Sequence, residues 1–412
     1  MLINSCLSSV PMYTMGVYML YEGNYQVIDE VRSKFFWQGI VKKRKYHMVK
    51  WDALIRPKDF GGLGILDGRV MNVCLVAKWL DRLENGPNNV CCELLKRKYL
   101  GSKNIFQIKK VSGSQFWRGL LGVRKWFQWG RAMKVRSGSQ TSFWEDVWLG
   151  DCALKTQFHN LYNFCSDTNV TVADVLRAGT CNLKFRRTLI QHELEEWENL
   201  SDILESVHLC EGRDEMLWLL ESKRRYSTKS LYRMMTFGGV KDPIIMEVWK
   251  CKVPLKIQIF LWMAYHDRIQ SVVQLRKRNW VGAKECKMCG AVETTDHILF
   301  TCPVVVFLWV FLKETLILGS VPSSIAELEL IFLSRNHRFQ SVLLFIFAGA
   351  LWVIWKMRND LVFEDKVIAS PTVIIHKTVA LLTHWKQLLD EKKMKQVETA
   401  LVEINGACGS IA

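Results

Sequence analysis

A mainly α, multi-helical fold with small β-hairpins and a small CCHC-type structural zinc module is what this sequence predicts. Three observations lead there. Hydrophobic residues make up 49% of the 412, with 17 Trp and 20 Phe, which excludes a disordered chain and suffices for two or three cores. Apolar residues recur at three- and four-residue spacing behind capping residues, the helical pattern. Finally, Cys286-Lys-Met-Cys289 is followed after seven residues by His297 and after four more by Cys302. Two thiolates two residues apart can grip one ion from a tight turn, and a following His/Cys pair closes a tetrahedron. One structural Zn2+ is therefore expected on Cys286, Cys289, His297 and Cys302. Protein fills all four positions, so such an ion holds a fold and leaves no place for water or substrate. Unliganded cysteines in a helical core are the alternative.

Charge supplies the next bound. The chain carries 56 Lys+Arg against 40 Asp+Glu, a net +16, which favours a polyanionic partner such as nucleic acid or an anionic membrane surface. Basic proteins that are merely soluble share this balance. Thirteen cysteines, odd in number and irregularly spaced, argue against a disulfide framework, and the N-terminus lacks the positive n-region of a signal peptide. Nucleus or cytoplasm, not secretion, is the expected location. Phe339 to Trp355 carries no charge but sits at the lower length limit for a span, so a buried core helix is preferred and no membrane partner is expected.

Four regions follow along the chain: 1–105 helical, 106–225 Trp-rich and mixed α/β, 226–316 around the cysteines, and 317–412 helical. Pro11 breaks the first apolar segment. Asn24 is placed to cap a helix through Trp37 whose apolar face holds Val27, Val31 and Phe35. A basic run, Lys42 to Lys45, comes next. Gly61-Gly-Leu-Gly64 lacks the spacing and the preceding strand of a phosphate cradle, and is expected to be a turn. Asp67 should cap a helix carrying Val70, Val73, Ala77 and Leu80, and a short helix should run from about Asn89 to Tyr99.

From Gly101 to Gly150, Trp117, Trp126, Trp129, Trp144 and Trp148 are interleaved with Arg118, Arg124, Lys125, Arg131, Lys134 and Arg136. Met133 to Trp144 reads as a hairpin turning at Ser137–Ser139. Its aromatics could stack bases, or could simply form a core with a solvated rim. A helix is expected from about Leu183 to Leu204. His192-Glu-Leu-Glu-Glu on it lacks the second His of a zinc protease. A second hairpin is expected at Met216–Leu220 with Arg225–Ser227, then a helix capped near Ser227 or Thr228, and a linker at Pro243.

Pro254 should open a helix with Ile257, Phe260, Leu261, Ala264 and Tyr265 on one face. Ser271 should cap a second helix ending in Arg276-Lys-Arg278. His297 and Cys302 lie about 140° apart around an ideal α-helix, so the helix must end or distort before Cys302, with Pro303 as a cause. Apolar helices at Val304–Leu316 and Phe339–Phe363 and an amphipathic one at Val373–Lys395 complete the chain.

Several of these segments resemble one family. The frame is Val253-Pro-Leu-Lys-Ile-Gln-Ile-Phe-Leu-Trp262, the basic helix, the four ligand positions and Phe307-Leu-Trp309. It is similar to the zinc-binding domain that follows the reverse transcriptase of plant LINE-type (non-LTR) retrotransposons. Leu2 to Pro11, Phe35-Phe-Trp-Gln-Gly39, Gly61 to Gly64, Ala77-Lys-Trp79, Phe143 to Gly150 and Ile354-Trp-Lys-Met-Arg-Asn359 resemble segments downstream of that family's polymerase palm. The resemblance implies a thumb-like region over 1–105. It also implies a polymerase-bearing retrotransposon protein as a partner. The family's polymerase uses a Tyr-x-Asp-Asp motif, and no Asp-Asp pair occurs in this chain; nor is there an obvious ribonuclease H set of carboxylates to hold Mg2+. The expectation is a non-enzyme with no catalytic residues.

The leading functional expectation is sequence-independent binding of RNA or DNA. The zinc would fix the turn so that Arg276, Lys277, Arg278, Lys284 and Lys287 face phosphates, with Trp280 as a stacking platform. A structural or protein-interaction zinc domain without activity of its own is the alternative.

Overall fold

The computed structural model describes residues 2–38, 46–86, 89–101, 103–108, 111–176, 181–282, 285–333, 339–367 and 370–409. The basic run Lys42–Lys45 and Lys284 lie outside them. The described chain is mainly helical, with one two-stranded antiparallel sheet. It folds as two compact units, one of residues 1–36 and 66–237, the other of 37–65 and 238–412.

The first unit is built on the Gly68–Asn85 helix, which Asp67 caps by accepting from the backbone N–H groups of Arg69 and Val70. Cys74, Ala77, Leu80 and Leu83 bury its inner face against Leu120, Val123 and Phe127 of the Gln115–Phe127 helix. The Glu22–Gln38 helix turns differently from expectation. Val27 and Val31 are exposed, while Tyr25 and Arg32 are buried. Polar contacts set that rotation: Tyr25 donates to Asn72 at 2.6 Å, and Arg32 donates to the Leu66 carbonyl. Asn72 in turn donates to the carbonyls of Met15 and Tyr18. A buried donor left unmet costs more than an exposed valine, so the hydrogen bonds win.

Neither expected hairpin forms. Arg131–Lys134 pairs instead with Glu215–Trp218, Arg131 opposite Trp218 and Lys134 opposite Glu215. Residues 140–144 leave the sheet because Asp214 gathers the turn before them. Its carboxylate accepts from the N–H groups of Arg136, Gly138 and Gln140 and from the Thr141 hydroxyl. Burial alone would raise its pKa, but these bonds outweigh it and hold the carboxyl below its ordinary 3.8. A carboxylate with a lowered folded pKa contributes stability that is complete above the unfolded value and fades as pH falls through the folded one. Asp214→Ala should cost about 2 kcal/mol at neutral pH. Urea titrations at pH 7 and pH 3 should show the deficit shrinking at the lower pH.

The tryptophans of this unit divide. Trp117 and Trp144 are core, Trp126 and Trp148 are half-buried, and Trp129 is 56% exposed. Around Trp144, a second core gathers Phe143, Leu154, Phe158, Leu161 and Leu200. The helix that reaches Leu200 begins at Gln191 rather than near Leu183.

In the second unit Pro243 is no linker. Asp242 caps the Pro243–Lys250 helix, and the proline takes the first turn, where a missing N–H costs nothing. The Gly61–Gly64 turn, formed as expected, meets the Leu255–Tyr265 helix: the Trp262 indole donates to the Gly61 carbonyl at 2.8 Å. Gly62 has no room for a side chain, since a Cβ there would sit 1.9 Å from the Arg56 carbonyl oxygen. The 25-residue helix Gln340–Glu364 is long and apolar enough to cross a membrane, yet Leu343, Ile346, Phe347, Leu351 and Ile354 are buried in this unit's core. Gly349 lets it approach the Thr372–Trp385 helix, where a Cβ would meet Leu382 at 2.7 Å. The expected Val373–Lys395 helix stops at Trp385, and a new one runs from Glu391 to Gly409.

Candidate metal centre

Two short pieces of chain deliver the four ligands. The first is a turn in which Cys286 N–H donates to the Ala291 carbonyl at 2.7 Å, while the Cys286 carbonyl accepts from Cys289 and Gly290. Gly290 takes a left-handed φ of +78°, which reverses the chain at no steric cost. An antiparallel bridge between Glu285 and Val292 closes the turn.

The second piece resolves the geometric difficulty of His297 and Cys302. Residues His297–Thr301 form one turn of π-helix, and its i to i+5 hydrogen bond runs from the Cys302 N–H to the His297 carbonyl at 2.9 Å. The wider turn draws two ligands five residues apart toward one face, which an α-turn would not do. Cys302 then leaves the helix with φ −64° and ψ 130°, and Pro303 opens the next helix, Pro303–Leu316. The expected distortion is real, and its form is a π-turn.

The ligand atoms of Cys286, Cys289, His297 and Cys302 all lie within 4.8 Å of one another. Cys289 Sγ is 3.2 Å from His297 Nε2. His297 Nδ1 lies 3.5 Å from the Thr301 hydroxyl, leaving Nε2 as the nitrogen that points into the cluster. Three soft thiol donors and one imidazole at this separation fit a tetrahedral zinc with bonds of about 2.0–2.3 Å. The chain thus has a Cys3His cluster positioned for one zinc ion. Cys286, His297 and Cys302 are buried and Cys289 is exposed. The side-chain contact between Cys302 and Cys286 pulls the Cys286 thiol below its ordinary value and raises that of Cys302. Both sulfurs must be thiolates to hold the ion, so binding would release protons.

Further residues hold the cluster without touching the ion. The Thr294 hydroxyl accepts from the His297 N–H. Asp267 accepts from Thr295 and Gln274, joining the cluster to the Val272–Arg276 helix. Glu293, 1% exposed, accepts from the Val272 N–H at 3.1 Å and from Arg358 Nε at 3.1 Å, with a second bond from Arg358 Nη2. The Trp309 indole donates to the Leu299 carbonyl at 2.8 Å and stacks on Phe300. Trp309 and Arg358 fall in segments that carry the family resemblance, but the supporting role of each of these residues was not read from the sequence.

The expected nucleic-acid residues are dispersed in their commitments. Arg278 donates to the carbonyls of His47, Met48 and Gln274. Lys287 pairs with Asp365 at 2.8 Å. The half-buried Trp280 ring lies against Gly282, where a Cβ would come within 2.0 Å of it. Arg276 and Lys277 are exposed at the end of their helix, with no ion pair on either among the described residues.

Two relatives bracket the chain. It is 27% identical over 322 residues to an Arabidopsis thaliana protein named as a candidate ribonuclease H, covering 75% of this chain and 51% of that protein. It is 26% identical over 145 residues to an uncharacterized mitochondrial protein of Arabidopsis thaliana, covering 35% of this chain and 94% of the relative. This chain thus spans about half the length of the first. Residues 226–309 match the family described as zinc-binding in reverse transcriptase. The segment presenting Cys286, Cys289, His297 and Cys302 is a reverse transcriptase zinc-binding domain.

Proposed function

We propose that this chain is a non-catalytic, zinc-stabilised nucleic-acid-binding remnant of a plant LINE-type retrotransposon reverse transcriptase polyprotein. The zinc-binding domain and the Arabidopsis relatives support the lineage. One observation carries the binding: Arg276 and Lys277 stand exposed, without carboxylate partners among the described residues, at the end of the helix that Glu293 and Asp267 join to a cluster that a metal would make rigid. With Arg278 and Lys287 committed to internal contacts, the phosphate-facing charge narrows to this pair, joined in sequence by Lys284. Contacts of that kind recognise RNA or DNA backbone without regard to sequence. RNA, DNA and a polymerase-bearing partner remain the proposed associates, in nucleus or cytoplasm.

Fluorescence anisotropy with a single-stranded RNA and its DNA counterpart, at two salt concentrations, tests this. Arg276→Glu with Lys277→Glu should weaken binding at low salt and lower the slope of log K against log salt by about 1.4. A binding curve that ignores salt, or no binding at low salt, would overturn the proposal. If charge reversal leaves protein partners bound and nucleic acid was never bound, a protein-interaction module is the better description.

A further inference from the structure

The Gln115–Phe127 helix in the first unit has an outward face that the zinc-binding domain does not explain. From Leu94 to Trp144, 51 residues, the sequence contains twelve Lys and Arg and no Asp or Glu. The structure sorts these cations. Arg131 is buried against Asp146 and Glu84, Arg124 donates to the carbonyls of Leu121, Ile105 and Ile108, and Arg136 pairs with Glu215. Arg97, Lys98, Arg118 and Lys125 are exposed, and none has an ion pair among the described residues.

Their placement is ordered. Arg118, Gly122, Lys125 and Trp129 fall at intervals of four, three and four residues, one stripe along a helix and the turn that extends it. About 10 Å of helix rise separates the two cations. Gly122 between them has nothing within 4 Å of where a side chain would begin, so the backbone is bare there. At the C-terminal end Trp129 packs edge-on against Trp126 at 4.7 Å, with the Lys125 ammonium 5.0 Å from the Trp126 ring centre. Trp129 keeps 56% of its surface open. At the other end Tyr99 stacks on Trp117 at 4.4 Å, which fixes Arg97 and Lys98 near the start of the same helix.

We propose that this face is a second nucleic-acid contact, taking a single strand with its phosphates along Arg97, Lys98, Arg118 and Lys125 and a base stacked on Trp129. Cations without carboxylate competitors supply the attraction to phosphate, and an open indole supplies a platform every base can use. A duplex hides its base faces and would leave Trp129 idle, so the strand is single. This rests on the nucleic-acid reading above but not on the zinc: the Gln115–Phe127 helix and the metal ligands belong to different units.

The test uses the full zinc-loaded chain and a fluorescein-labelled oligo-uridine, comparing wild type with Trp129→Ala, with Arg118→Glu/Lys125→Glu, and with Arg276→Glu/Lys277→Glu. Trp129→Ala should weaken single-strand binding roughly tenfold and leave the salt slope unchanged. Arg118→Glu/Lys125→Glu should lower the slope by about 1.4. Zinc content and circular dichroism should match wild type in both, since each residue is solvent-facing. Photo-crosslinking of the bound strand should mark Trp129. Binding by wild type that both first-unit variants retain, while Arg276→Glu/Lys277→Glu loses it, overturns this second contact and leaves the first standing. No binding by wild type overturns both.

Discussion

Replacing Cys302 by Ser is expected to cost the chain its bound ion and, with it, the order of residues 285–302. Its backbone bonds are those of one turn and one π-turn; Glu293, Thr295 and the buried Ile298, Leu299 and Phe300 anchor it to the core, and the ion would tie the Cys286–Cys289 turn to His297 and Cys302. Structural zinc contributes apparent binding free energies on the order of 10 kcal/mol in small modules. Part of this will be recovered by the apolar packing of Phe300 and Trp309. Even so, the melting temperature of the second unit should fall by roughly 10 °C or more. Excess chelator added to wild type should reproduce the loss. Differential scanning calorimetry reads both, and identical melting with and without chelator would show that apolar packing alone holds the segment.

Arg358→Met is expected to cost about 3–5 kcal/mol, because it strands the Glu293 carboxylate in the interior. Both side chains are 2% exposed or less. The pair links the long Gln340–Glu364 helix to the residues between Cys289 and His297, so zinc affinity should fall along with stability. Removing both charges, Arg358→Met with Glu293→Met, should recover much of the stability, since the pair's desolvation cost disappears too. Guanidinium titration of wild type, Arg358→Met, Glu293→Met and the double variant checks the cycle. A single-mutant loss under 1 kcal/mol would mean that water reaches Glu293 once the arginine is gone.

What the sequence made legible was local. Asp67, Ser227 and Ser271 announce helix starts because a cap reports on residues two or three away. The four metal ligands lie within seventeen residues, and the strain between His297 and Cys302 was calculable from helix geometry alone. Long-range partners were not legible. Arg131 pairs with Trp218 across 87 positions, and nothing near Met133 distinguishes that strand from half of a hairpin. The Val27, Val31 and Phe35 stripe has helical spacing, but Asn72 and the Leu66 carbonyl decide which face turns inward. Glu293 and Arg358, 65 residues apart, look like ordinary surface charges until the fold buries them together. The candidate nucleic-acid residues show the same division. Composition marks where cations are dense, and only tertiary contacts show that Arg278 is spent on backbone carbonyls while Arg276 and Lys277 stay exposed.

The central claim is that Cys286, Cys289, His297 and Cys302 together hold one zinc ion. Native mass spectrometry of the intact chain, wild type beside Cys286→Ser, tests it most directly. The account predicts one zinc on the wild type and none on the variant. A wild-type chain purified with zinc present yet carrying no ion, or a Cys286→Ser chain that keeps its full complement, would contradict it.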